Sequence, residues 1–251
     1  ADLHNVLRTK ILKLFLLGYP FQAINKARSD KNKLVQGKSF QPLRSTIERY
    51  ADVIRAFGLK LNLEHPKFPS PLVLSSSLKE MINIKSKLLI GVAPFAAYKS
   101  KIYPLDKMKK IINILSKDYT VVLFGGGKNE TIILDKIANQ SKSIISFSGK
   151  FSMEEEIQIM SHLKLMISMD SGNAHMAAMM GVKVITLWGV THPFAGFKPF
   201  NQPLSNCLLS DRSAFPLIPT SIYGNIYPKN YENAIASIPE SEVLKAIKNN
   251  I

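Results

Sequence analysis

The stretch Met166–Pro193, MISMDSGNAHMAAMMGVKVITLWGVTHP, decides the fold. Two apolar runs, Lys164–Met169 and Val182–Leu187, read as strands. Between them lie a polar turn, Asp170-Ser171-Gly172, and a segment Asn173–Met180 that reads as a helix carrying His175. In an open parallel sheet the ligand crevice lies beyond the carboxyl ends of the strands, and the free N–H groups of a following helix attract an anion. The Asp170 turn therefore sits where an α/β protein keeps its ligand site.

The same pattern extends upstream. Leu88–Ala93, Thr120–Phe124 and Ser143–Phe147 are short apolar runs, and Pro104–Ser116, Asn129–Gln140 and Ser152–His162 between them have helical character. Ser152 with Glu155 three residues later forms a capping box that starts the third of these helices. Strands alternating with helices of this length predict βαβ units and a parallel sheet. Pro239–Asn249 reads as one more helix.

The amino-terminal third differs. Leu3–Leu17 and Pro42–Phe57 carry apolar residues at helical spacing, with Gly58 as a C-cap, and a basic, irregular stretch from Tyr19 to Phe40 separates them. The proline-rich run His65–Pro71 is the candidate connection. The expected organisation is a partial amino-terminal domain with linker over 1–80, a complete parallel-sheet domain over 81–238, and a terminal helix over 239–251. A doubly wound half-domain needs about three or more parallel strands to stand alone, and the amino third offers too few. The chain opens on Ala1-Asp2-Leu3-His4 without methionine, so the expectation is that its natural amino terminus lies upstream.

Composition sets the outer bounds. With 251 residues, 46% of them hydrophobic, the chain can bury a substantial core. Its mean hydropathy is +0.04, and no apolar run approaches the roughly 18–20 residues that span a bilayer, which predicts a soluble protein. The single Cys207 excludes an intramolecular disulfide and fits a reducing cytoplasm, with burial as a small hydrophobe its expected role. The formal charge of +15 suits an anionic substrate or surface. No aromatic-basic interleaving, zinc spacing or basic helix-turn-helix pattern accompanies it, so nucleic acid is not the expected partner.

Four groups of residues carry candidate chemistry. Ser171 and Gly172, at the start of the helix, suit a phosphate, whereas the carboxylate of Asp170 repels one and suits a sugar hydroxyl. An Asp N-cap is the competing structural reading. His175, one turn into the helix, is either catalytic or a packed, orienting residue on a helix expected to be buried nearly all round. Gly125-Gly126-Gly127-Lys128 with Glu130 follows a strand, where glycines admit a ligand to the backbone and a glutamate accepts from ribose hydroxyls. Glu130 is equally at home as an acid at a helix N-terminus.

Lys101, in the loop Pro94–Lys101, stands where a cation would neutralise a diphosphate leaving group. Gly189, Thr191 and His192 form a further loop on the same rim, and Trp188 reads as a packing residue.

MDSGNAHMAA followed by LWGVTHP resembles the signature of glycosyltransferase family 9, the lipopolysaccharide heptosyltransferases. PFAAYKSKIYP resembles that family's donor-phosphate loop and LFGGGKNE its ribose turn. The resemblance is clear from Leu88 to Pro203 and weaker in DLHNVLRT and around Glu48-Arg49-Tyr50. It implies an α/β, GT-B-like fold with a complete C-terminal Rossmann-type parallel-sheet domain and a partial N-terminal Rossmann-like one.

The resemblance also implies inverting transfer from an ADP-heptose-like donor to an anionic lipopolysaccharide core acceptor at the inner face of the cytoplasmic membrane, with no required metal or other cofactor. Lys101, Asp170 and His175 would then be the catalytic set. Lys101, Gly126, Glu130, Ser171, Gly172 and Thr191 would hold the donor. The family's general base is an aspartate in a glycine-containing loop near the start of the first domain, which no residue here matches, and Asp2 lies in a different segment. A catalytically incomplete binding module and a GT-B nucleotide-sugar epimerase are the alternative readings.

Overall fold

The structure, a computed structural model, describes residues 1–82 and 87–251. They form two compact units, one of residues 1–67 with 193–198 and the other of residues 68–192 with 199–251.

The first unit is mainly helical. Asp2 turns the chain at its start, its Oδ1 accepting from the amides of His4 (2.9 Å) and Asn5 (2.7 Å), and helix α1 follows over Leu7–Phe15. The helix starts later than its apolar spacing suggests because residues 2–5 are committed to this turn. Among the described residues the strand content of this unit is one isolated parallel bridge, Asp2 with Ala23. Helix α2, Arg28–Val35, occupies part of the stretch expected to be irregular. Its sequence RSDKNKLV buries only Leu34, so it shows no apolar period.

Helix α3, Thr46–Arg55, starts four residues after Pro42. Ser45 caps it by accepting from the Glu48 amide (3.1 Å), which fixes the start more firmly than the apolar pattern could. Residues 193–198 join this unit through Leu43 N–H to the Phe194 carbonyl (2.9 Å) and Thr46 N–H to the Gly196 carbonyl (2.8 Å).

The second unit holds the sheet. After helix α4 (Ser76–Met81) come β1 (Leu89–Ala93), α5 (Leu105–Leu115), β2 (Thr120–Leu123), α6 (Gly127–Ala138), β3 (Ile144–Ser146) and α7 (Met153–Met160). Then follow β4 (Leu165–Met169), α8 (Gly172–Met179), β5 (Lys183–Trp188), β6 (Cys207–Leu209) and α9 (Glu240–Asn250). The five expected strands all form, and β6 is an addition: three residues between polar neighbours give too short a run to recognise. All pairings are parallel, in the order β3-β2-β1-β4-β5-β6.

Alternate strand residues supply two cores. Ile90, Val92, Val121, Leu123, Leu165, Ile167, Ile185 and Leu187 pack with α5, α6 and α9. Leu89, Ala93, Val122, Phe124, Met166 and Val184 pack with α4, α7 and α8. Both faces are thus covered, as a parallel sheet requires. The expected capping box at Ser152 and Glu155 forms, and Cys207 and Trp188 are buried.

Candidate functional site

The strand order reverses between β1 and β4, because β2 and β3 lie to one side of β1 while β5 and β6 lie beyond β4. At such a switch point the loops leaving the two central strands diverge and open a crevice. The loop after β1 ends in a short 3-10 turn, Lys99–Lys101, and the loop after β4 is Asp170-Ser171. The topology therefore carries Lys101 and Asp170 to the same place.

They meet directly. Lys101 Nζ lies 3.0 Å from Asp170 Oδ2, and each side chain is only 11% exposed. Thr191, just past β5, donates its hydroxyl to the same Oδ2 at 2.9 Å. A buried pair survives desolvation only when its geometry is good and further hydrogen bonds support it, and the Thr191 hydroxyl is that support. An ammonium has three donors, so pairing with Asp170 leaves capacity for another acceptor. The sequence assigned Lys101 and Asp170 separate ligand contacts; the structure shows that they also hold each other.

His175 is half-buried on α8 and feels both charges. Burial pushes its imidazole below the ordinary value, the Asp170 carboxylate opposes that shift and the Lys101 ammonium adds to it. Around it α8 buries Ala174, Ala177 and Ala178, but Met179 is 61% exposed, so the helix is not buried all round as its composition suggested. The small buried residues let α8 lie close to the sheet, and its start at Gly172 directly follows the Asp170 turn.

Ser171 is the N-cap of α8, but its side chain makes no cap hydrogen bond. Its Oγ lies 3.0 Å from Ser168 Oγ instead. Among the described hydrogen bonds none runs from an α8 amide to Asp170, whose Oδ2 is engaged with Lys101 and Thr191. Gly172 is exposed and a Cβ there would meet nothing within 4 Å. The helix start is thus bare of side-chain caps and open to an acceptor from outside.

At the turn after β2, Glu130 Oε2 accepts from the Gly126 amide at 2.8 Å. The glutamate thereby caps the start of α6, the structural role weighed above, and Gly126 presents open space on its Cβ side. His192 is 2% exposed, and burial, aided by Arg212, pushes it down to about 4.

Three residues that sequence reasoning did not assign to the site shape it from behind Lys101. Gly224 lies against the stem of Lys101, Ser100 donates to the Gly224 carbonyl, and Gly189 abuts the backbone of Ser100; Ser100 and Gly189 fell within the two loops singled out by sequence, whereas Gly224 carried no signal. Among the described residues no group of three or more His, Cys, Asp or Glu side chains is arranged to hold a metal ion.

Strand order defines the second unit as a doubly wound α/β domain, with the Lys101–Asp170 pair at its reversal, where domains of this class take ligands. A sequence profile described as glycosyltransferase family 9 (heptosyltransferase) matches residues 30–218, and the chain belongs to that family. It is 23% identical over 226 residues to lipooligosaccharide heptosyltransferase 2 of Campylobacter jejuni, covering 88% of this chain and 66% of that protein.

Among solved structures, the glycosyltransferase family 9 protein from Veillonella parvula matches with a TM-score of 0.62 at 19% identity, covering 82% of this chain and 59% of that one. The E. coli heptosyltransferase WaaC with ADP matches with a TM-score of 0.57 at 16% identity, covering 83% and 57%. The fold class is accordingly GT-B-like. The chain spans between about a third and two thirds of the length of the curated relatives it matches.

Proposed function

We propose that this chain supplies the donor side of an inverting heptosyltransferase of lipopolysaccharide core assembly, binding an ADP-heptose-like sugar nucleotide at the β1/β4 switch point. The observation that carries the reading is the buried Lys101–Asp170 pair supported by Thr191 and set beside the uncapped start of α8. A diphosphate needs a cation and free amides, and a sugar needs an acceptor for its hydroxyls. This arrangement offers each within one crevice.

In the reaction an acceptor hydroxyl oxygen forms a bond to the anomeric carbon as the bond to the diphosphate oxygen breaks. The departing ADP takes the electron pair, and the proton of the acceptor hydroxyl passes to a general base, a role assigned to no residue of this chain. Lys101 and the amides at Ser171 and Gly172 stabilise the charge that grows on the diphosphate. Asp170 Oδ1, which takes no part in the contacts with Lys101 and Thr191, accepts from the sugar, while His175 lines the same crevice. The second carboxylate oxygen of Glu130 receives the ribose and Gly126 gives it access. The acceptor is an anionic core glycolipid at the membrane face, an approach that a net charge of +15 accelerates. No helix among the described residues is long and apolar enough to cross a membrane.

Titration calorimetry with ADP and an ADP-sugar tests the reading. Saturable binding is expected, weakened roughly tenfold or more by Lys101→Ala, since a charge-assisted hydrogen bond contributes about 1.5–3 kcal/mol. Asp170→Ala should cost the ADP-sugar more than it costs ADP. Absence of any nucleotide binding by the unaltered chain would overturn the assignment.

A further inference from the structure

The family match ends at residue 218, yet a loop beyond it bears on the site. Residues 220–226 fold back on the end of β5, with Thr220 N–H donating to the Val190 carbonyl at 3.0 Å. The loop is braced internally: Ser221 Oγ accepts from the Gly224 amide at 3.1 Å, and Thr220 Oγ1 donates to the Ile226 carbonyl at 2.7 Å. Gly224 has φ +88°, a conformation that side-chain-bearing residues rarely adopt.

This glycine touches the lysine of the charged pair. A Cβ at Gly224 would stand 2.7 Å from Lys101 Cδ and 2.9 Å from Cγ, so the methylene stem of Lys101 lies flat against the bare backbone. Ser100, fully buried, donates its hydroxyl to the Gly224 carbonyl at 2.6 Å. On the other flank a Cβ at Gly189 would overlap the Ser100 carbonyl oxygen. The 3-10 turn that carries Lys101 is thus seated on Gly189 and latched to Gly224.

The order of these contacts has a purpose that packing alone does not require. A free lysine has several rotatable bonds and loses side-chain entropy when held in one geometry. Here that cost is met during folding rather than during binding, so the ammonium is already aimed at Asp170.

We propose that Ser100 and Gly224 are positioning residues that hold the stem of Lys101 so that its ammonium meets the donor diphosphate, a role that rests on the reading of Lys101 given above. Gly224 acts through the lysine and not on the nucleotide itself.

Calorimetric titration of ADP into the full chain tests this with the unaltered protein, Gly224→Ala, Ser100→Ala, Lys101→Met and the two combinations with Lys101→Met, alongside the Tm of each. Methionine keeps a stem against Gly224 but carries no charge. Gly224→Ala should weaken ADP binding roughly tenfold and Ser100→Ala roughly threefold, with each loss shrinking below about twofold in the Lys101→Met background. The Tm decrease from the strained alanine should be similar in both backgrounds. A binding loss that survives Lys101→Met, or Gly224→Ala and Ser100→Ala proteins that bind as the unaltered chain does, would overturn the positioning role. If Gly224→Ala fails to fold, Ser100→Ala carries the same comparison. Lys101→Met binding ADP undiminished would sink the diphosphate reading of Lys101 instead.

Discussion

Helix α5 of the second unit buries Met108, Ile111, Ile112 and Leu115, whereas α1 of the first, with comparable helical spacing of apolar residues, buries none. Leu7 is 75% and Phe15 80% exposed on α1, and Leu12 and Leu16 line an open groove of ≈ 770 Å³ with Tyr19, Phe21 and Tyr50. The contrast teaches that periodicity says which residues share a face but not what that face meets. In the second unit six parallel strands give the helices a surface to cover, and that packed frame can hold a lysine and an aspartate out of water. The first unit buries Asp2 and Arg49 singly, while its ion-pair network lies at the surface, where Arg44 and Arg55 bridge Glu48 and Asp52. Hydrogen bonds from Arg44 hold the Asp52 carboxyl below its ordinary value.

The sharpest test of this contrast is the core itself. Trp188 is 1% exposed and its Nε1–H donates to Thr186 Oγ1 at 2.8 Å. Trp188→Ala should lower the unfolding free energy of the second unit by about 4 kcal/mol, measured by urea denaturation followed by circular dichroism. Next comes the charged pair. Lys101→Ala strands a buried carboxylate and should cost about 3 kcal/mol, part of which Lys101→Ala with Asp170→Ala should recover because no uncompensated charge remains. Equal losses in the single and double variants would mean that the two charges do not depend on each other.

A slightly smaller effect follows from His192. Its folded-state value is about 4, below the ordinary 6.5, so between these values the unfolded chain holds a proton that the native state does not. Stability then falls as pH drops from 6.5 towards 4 and is fully present above 6.5, with a contribution of at most about 3 kcal/mol. His175 shifts in the same direction and adds to the fall. Denaturation series at several pH values should show this slope, flattened in His192→Asn.

Much of the second unit was legible because both faces of its sheet are buried. A strand in that position reads as a continuous apolar run bounded by turns, and β1, β2, β4 and β5 lie within about a residue of where those runs place them. Helices α2 and α4 were not legible: one is polar apart from Leu34 and Val35 at its end, and the other has six residues. The Asp170 turn could be recognised because a polar turn between strand and helix is a local signal. The pairing of Lys101 with Asp170 and the seat of Lys101 on Gly224 could not, since they join residues 69 and 123 positions apart that only the folded topology brings together.

The smaller predictions concern the first unit. Ser45 caps α3 by a single hydrogen bond, so Ser45→Ala should cost about 1 kcal/mol in the same denaturation assay.

Phe15 marks the opposite limit. Deleting a ring normally costs about 3–5 kcal/mol because contacts are lost and a cavity remains, but an 80% exposed ring has few contacts to lose and leaves no cavity. Phe15→Ala should therefore change the unfolding free energy by less than about 0.5 kcal/mol, and alanine's higher helix propensity offsets part of even that. Leu7→Ala should behave alike. Removing apolar surface from α1 should also reduce self-association, read by light scattering at rising protein concentration. A loss of more than about 1 kcal/mol for Phe15→Ala would show that this face is covered in solution, and the contrast between α1 and α5 would then be one of partner rather than of burial.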